Sequence, residues 1–148
     1  MKRLALIVAA GILLAGCGGS GRLSKSAYEQ KLQADGKPVQ ASVTALTKTT
    51  PASLADLTKK IDAAETAVRN AADDLDSLKP PSDASADNDA IVAALRRTEK
   101  GLEQVKANPT SALTIVAATE GSPQLKAAEK AIADLKEKGY KVGVIGIP

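Results

Sequence analysis

The stretch PASLADLTKKIDAAETAVRNAADDLDSL, residues 51–78, decides the fold class. Its apolar positions are Leu54, Leu57, Ile61, Ala64, Val68, Ala71, Leu75 and Leu78, separated by alternating steps of three and four. That spacing gathers them on one side of an α-helix, whereas a strand needs alternation every second residue. Thr50-Pro51 reads as an N-cap followed by proline at the first helical position, and Pro80-Pro81 ends the run. The spacing predicts a helix over 51–78.

The same pattern continues on both sides. After Ser82-Asp83, with acidic residues where a helix N-terminus favours them, the stripe Asn88, Ile91, Leu95, Thr98, Leu102 and Val105 predicts a further helix, stopped by Asn108-Pro109. The next segment comes in two pieces. Thr110 to Thr119 is short and apolar, Glu120-Gly121 breaks it, and Ser122-Pro123 restarts it with Leu125, Ala128, Ile132 and Leu135 facing inward and Gly139 past its end. Upstream, Ser24 to about Lys48 contains Gly36 and Pro38, a local reason to split it. Leu32, Val39 and Leu46 nevertheless lie seven apart, with Val43 on the same side, so the apolar phase survives the proline. One helix kinked near Lys37 is favoured over two short ones.

Four segments of about 25 residues, each about 38 Å long at 1.5 Å per residue, joined by short proline-rich turns, predict an all-α fold. The expected arrangement is an up-and-down antiparallel four-helix bundle after a cleaved N-terminal signal peptide. A self-associating extended coiled coil is the alternative, and Pro80-Pro81 and Pro109 argue against it.

Composition narrows the chemistry. The 148 residues include no His, Trp or Phe, one Cys and two Tyr. Without histidine there is no imidazole base, no Ser-His-Asp or Cys-His arrangement and no ordinary zinc site. One cysteine forms no internal disulfide, and two aromatics leave almost no platform for stacking bases.

That cysteine ends a leader. Lys2 and Arg3 precede an uncharged stretch from Leu4 to Ala15, too short for a span of about 20 residues. The stretch closes on Leu14-Ala15-Gly16-Cys17, followed by Gly18-Gly19-Ser20-Gly21. Leu14, Ala15, Gly16 and Cys17 closely resemble the lipobox of bacterial lipoproteins. The resemblance implies cleavage before Cys17 and transfer of diacylglycerol to its thiol. It also implies a lipid anchor on the extracytoplasmic side of the membrane, in the cell envelope. Because Gly18 and not Asp follows the cysteine, the resemblance to sorting signals of two-membrane cells implies no retention at an inner membrane.

The expected organisation is therefore signal peptide 1–16, lipidated Cys17 and flexible tether 17–23, helical bundle 24–139, and apolar C-terminal tail 140–148. Loss of Lys2 and Arg3 lowers the formal charge from +3 to +1. The sequence pI near 9.0 thus partly reports a discarded segment, and no nucleic-acid partner is expected. Arg22 and Lys25 stand where they can meet anionic lipid.

Other candidate groups are weaker. Asp73, Asp74, Asp76, Asp83, Asp87 and Asp89 cluster about one turn with Lys79, but Asp83-Ala84-Ser85-Ala86-Asp87 lacks the glycine and closing glutamate of a calcium loop. A solvated tip is expected, and no metal. Lys59-Lys60 and Arg96-Arg97-Lys100 could hold phosphate or lipid headgroups, yet Glu99 and Glu103 interleave, as on a salt-bridged surface. Tyr28 falls on the first stripe as a core residue, and Asn88 and Thr98 at stripe positions suit register pairing across the bundle. The apolar, glycine-spaced end from Tyr140 to Pro148 either packs back on the bundle or serves as a partner-binding hook.

Leu23-Ser24-Lys25 before Tyr28, with Gly139-Tyr140 late in the chain, also resembles small helical lipoproteins of actinobacterial type that have no settled activity. In such proteins a cysteine pair joining the first helix to the C-terminal segment is implied. Those positions fall near Gly36 and Gly143 here, which the resemblance makes neighbours held by packing alone.

These features lead to a membrane-anchored, non-catalytic envelope binding or scaffold module with no cofactor and a possible envelope protein partner. The alternative is a small-ligand or lipid-binding lipoprotein with a cavity between its helices.

Overall fold

A computed structural model describes residues 21–48 and 51–143. Among them are five α-helices, two single-turn 3-10 helices and no strand. Helix α1 spans Lys25–Lys48, α2 Leu54–Ser77, α3 Ser85–Ala107, α4 Ala112–Glu120 and α5 Pro123–Glu137. Helix α2 packs against α1 and α3, α3 packs against α5, and the short α4 leans on α3. The chain is all-α.

Helix α1 runs unbroken through Pro38. Ser24 caps it by accepting from the Ala27 N–H at 3.2 Å. Proline costs an interior helix a hydrogen bond and a steric clash. Here, Tyr28, Leu32 and Val39 are all buried, so tertiary packing holds both sides of the proline in one helix.

Helix α2 starts three residues later than Thr50-Pro51 suggests. Ser53 is the cap: its Oγ accepts from the Asp56 N–H, while Asp56 Oδ2 accepts from the Ala52 N–H. The Ser53 bond satisfies a free donor of the first turn, and the Asp56 bond ties the residue before the cap back onto the helix. Leu54, the first stripe residue, then lies in the opening turn and is 67% exposed.

Helix α5 begins as its sequence indicates, with Ser122 Oγ accepting from the Leu125 N–H and Pro123 in the first turn. Its end is a Schellman turn. Gly139, at φ 75°, donates to Lys136 O at 2.9 Å, and Tyr140 N–H donates back to Leu135 O at 2.9 Å. The left-handed residue reverses the chain and drops Tyr140 onto the core beside Leu135.

The main core joins Tyr28, Leu32 and Val39 of α1, Val68, Ala72 and Leu75 of α2, Ile91, Val92 and Leu95 of α3, Ala131 and Leu135 of α5, and Tyr140. A smaller cluster of Ala94, Leu125 and Ala128 lies between α3 and α5. Thr98, Leu102 and Val105 are only half-buried, so the α3 stripe emerges from the core toward its C-terminal end.

Glycine at 101 has a steric reason. A Cβ built there falls 2.6 Å from Thr119 Oγ1, so α4 approaches α3 over a bare backbone. Gly101→Ala gains roughly 1 kcal/mol of helix propensity but must displace α4 at a cost of about 1–3 kcal/mol. The expected net effect is a loss of about 1 kcal/mol, with faster hydrogen exchange confined to α4. A urea midpoint above wild type contradicts the close approach.

Candidate functional site

The best-built constellation lies where the N-terminus of α1, the α2–α3 turn and the C-terminus of α5 come together. Tyr28 on α1 is fully buried, and its hydroxyl donates to Asn88 Oδ1 on α3 at 3.0 Å. The Asn88 amide in turn donates to Leu75 O on α2 at 3.1 Å. One buried asparagine thus ties three helices together.

Tyr140 meets Tyr28 edge to face, ring centroids 6.0 Å apart and planes 87° apart. This is a favoured aromatic geometry. The chain has no other aromatic side chain. Tyr140 also donates its hydroxyl to Asp83 Oδ1 at 2.8 Å, and Lys25 Nζ stands 4.5 Å from its ring centroid. Lys25 donates to Lys138 O at 2.7 Å, satisfying a carbonyl at the end of α5. Lys138 Nζ reaches back to Asp87 Oδ2 at 2.6 Å and Asp83 O at 2.7 Å. The C-terminal segment then follows α1, with Lys141 N–H on Glu29 and Gln33 Nε2 on Lys141 O.

Electrostatics make this a clasp. Burial, then the nearby Asp87 charge, pushes the Tyr28 hydroxyl far above its ordinary range. Burial and the bond to Asp83 push Tyr140 up to about 12. The bond to Asp87 raises the Lys138 ammonium. Each group is held more firmly in its ordinary protonation state, opposite to the tuning toward neutrality that acid–base work requires.

Three of the six aspartates at the acidic turn are paired. Asp73 binds Arg96, Asp87 binds Lys138 and Asp83 accepts from Tyr140, so cations from α3 and the end of α5 join Lys79 in opposing the aspartates. Among the described residues no three acidic or cysteine side chains converge as metal ligands. The sequence could not show these partners, because Asp87–Lys138 and Asp83–Tyr140 span 51 and 57 residues.

Of the basic residues of α3, Arg96 and Lys106 belong to a ladder between α2 and α3. Lys106 bridges Asp62 at 3.0 Å and Glu65 at 2.7 Å. Arg69 pairs with Glu65 and with Glu99, and Arg96 with Asp73 and Glu99. The Lys106 bond and then the Arg69 bond, working against burial, hold the Glu65 carboxyl below its usual range. The interleaved acids therefore act as the sequence suggests, on a salt-bridged surface.

One carboxylate departs from this pattern. Asp35 Oδ2 on α1 is shut away from water with no hydrogen-bond partner. Burial, then the facing Asp74 of α2, raises its pKa, and Lys31 only partly opposes them. No sequence signal marks it.

A carboxyl with a raised folded-state pKa stabilises the protein below its unfolded pKa, and that contribution is lost as pH rises through the folded value. Asp35→Asn should therefore raise the melting temperature at pH 7, and the gap to wild type should close below about pH 4. A gap independent of pH contradicts an ionised, unsatisfied Asp35.

Leu14, Ala15, Gly16 and Cys17 lie outside the described residues. So does the tail beyond Gly143, while Tyr140 is buried and Val142 packs on the core. Gly143 sits against Gln33 Cγ, three residues from Gly36 on the same helix. No helix among the described residues is long and apolar enough to cross a membrane. Compared with protein-family models, curated proteins and solved structures, the chain finds no match.

Proposed function

We propose that this chain is a bacterial lipoprotein, held to the extracytoplasmic face of a membrane by lipid on Cys17. Its helical domain acts as a non-catalytic binding or scaffold module of the cell envelope. The observation that carries the reading is the run from Lys2-Arg3 through an uncharged leader to Leu14-Ala15-Gly16-Cys17. A diacylglyceryl cysteine supplies two chains at about 0.8 kcal/mol per buried methylene, enough for stable anchoring.

The four long segments form an up-and-down antiparallel bundle, with α4 as a cap at the end away from the clasp. Leu23 N–H on Lys79 O and Lys138 on Asp87 support this order, since they bring the start of α1, the end of α2, the start of α3 and the end of α5 together. The binding role draws support from α4. Its Leu113 is 88% exposed and Val116 44%, with no charged residue from Ala112 to Thr119. Apolar side chains left in water on a short helix are the surface a protein partner would cover.

Detergent-phase partitioning of bacterial extracts tests the anchor. The full-length protein should enter the detergent phase and Cys17→Ser the aqueous phase. Equal partitioning of the two sinks the reading.

A further inference from the structure

We infer that the end of the domain formed by the α2–α3 turn is its membrane-apposed surface, facing lipid headgroups and holding α4 at the distal tip. This rests on the lipid anchor proposed above. Leu23 N–H donates to Lys79 O at 2.8 Å, and Arg22 Nη1 donates to Pro80 O at 2.9 Å. Leu23 also packs against the main core. The chain leading from Cys17 is therefore fastened to the turn before α1 begins, and only four peptide units separate Cys17 from Gly21. Four residues reach at most about 14 Å even when fully extended. Helix α3, with 23 residues, is about 35 Å long, so this leash spans well under half of the domain.

The ion-pair ladder on the long side formed by α2 and α3 offers anionic lipid no cationic patch. It sets five carboxylates, Asp62, Glu65, Asp73, Glu99 and Glu103, against the three cations Arg69, Arg96 and Lys106. The ladder itself is therefore net negative, which gives anionic headgroups no hold on it. Around the point of attachment, the exposed Arg22, Lys25, Lys79 and Lys138 stand among the exposed Asp74, Asp76, Asp83 and Asp89, so charge is near balance there and the short leash carries the orientation.

The test uses the full lipidated chain in phosphatidylethanolamine–phosphatidylglycerol vesicles, with a fluorophore on Lys79→Cys or on Thr110→Cys and nitroxide-labelled headgroups as quencher. Quenching at position 79 should exceed that at 110 at least threefold. The difference should disappear when a twelve-residue Gly-Ser insert after Ser20 lengthens the leash. Equal or stronger quenching at 110 in the uninserted protein overturns the inference, as a domain lying flat would produce. Mass spectrometry of the same sample separates the two failures: an unlipidated Cys17 defeats the anchor, and the inference with it. A lipidated Cys17 with equal quenching defeats the orientation alone.

Discussion

Tyr28→Ala should lower stability by about 3–5 kcal/mol, the range for removing a large buried aromatic. Tyr28 is fully buried, so truncation leaves a void at the junction of α1, α3 and the C-terminal segment. It also removes the ring that Tyr140 meets at 87° and leaves Asn88 Oδ1 without its donor. The damage should spread. With its partner gone, Tyr140 loses one side of its seat, and the Lys141 bonds to Glu29 and Gln33 should exchange faster than those in α2. Urea unfolding gives the magnitude, and amide exchange gives its distribution. A loss below 1 kcal/mol contradicts the central placement of this residue. Tyr28→Phe isolates the hydroxyl and should cost about 1–2 kcal/mol, since a buried acceptor is left unpaired.

Asn88→Ala should cost about 2 kcal/mol. The orphaned group is the Tyr28 hydroxyl, whose acceptor disappears inside the core. Leu75 O suffers less, because it also accepts from the Leu78 N–H at 3.3 Å. The two sites share one bond, so their effects cannot add. In a double-mutant cycle, Tyr28→Phe should become nearly silent once Asn88 is alanine. Replacing both polar groups should be less harmful than the two single losses together, because a matched pair of apolar groups leaves nothing unsatisfied. Additive costs would show that the bond contributes little and that Asn88 is held for another reason.

Much of this clasp is half legible in the sequence. Periodicity places Tyr28 and Asn88 on inward stripes, and an asparagine among apolar stripe residues suggests a cross-helix partner. Which partner it takes depends on the vertical register of α1 against α3, and no local pattern carries that. Gly139 is recognisable as a helix terminator, but the seat it gives Tyr140 depends on 6.0 Å contact with a residue 112 positions earlier.

The helix boundaries divide in the same way. Ser122-Pro123 acts as read, while at α2 the Ser53 cap, with Asp56 accepting from the Ala52 N–H, displaces the more conspicuous Thr50-Pro51 signal. Propensity alone ranks Pro38 as a break, yet burial of residues on both sides outweighs it. Asp35 is the opposite case, a charged residue whose surroundings exist only after α1 and α2 pack.

The acidic and basic runs illustrate why local charge counts mislead about ligands. Read along the chain, the aspartates near the α2–α3 turn have one nearby cation, Lys79. In three dimensions Arg96 and Lys138 arrive from other elements and take up Asp73 and Asp87. The turn is thereby tied to both of its neighbours, and its charge serves the fold. Individual surface pairs of this kind contribute little. Their value here is placement, because they fix the end of the domain to which the N-terminal chain is fastened.

The anchor is the claim on which the functional account stands, and the N-terminal peptide of protein purified from bacterial membranes tests it most directly. Mass spectrometry should find the mature chain beginning at Cys17, with diacylglycerol on its sulfur. A chain still beginning at Met1, or one cut elsewhere with a free Cys17 thiol, would contradict the account.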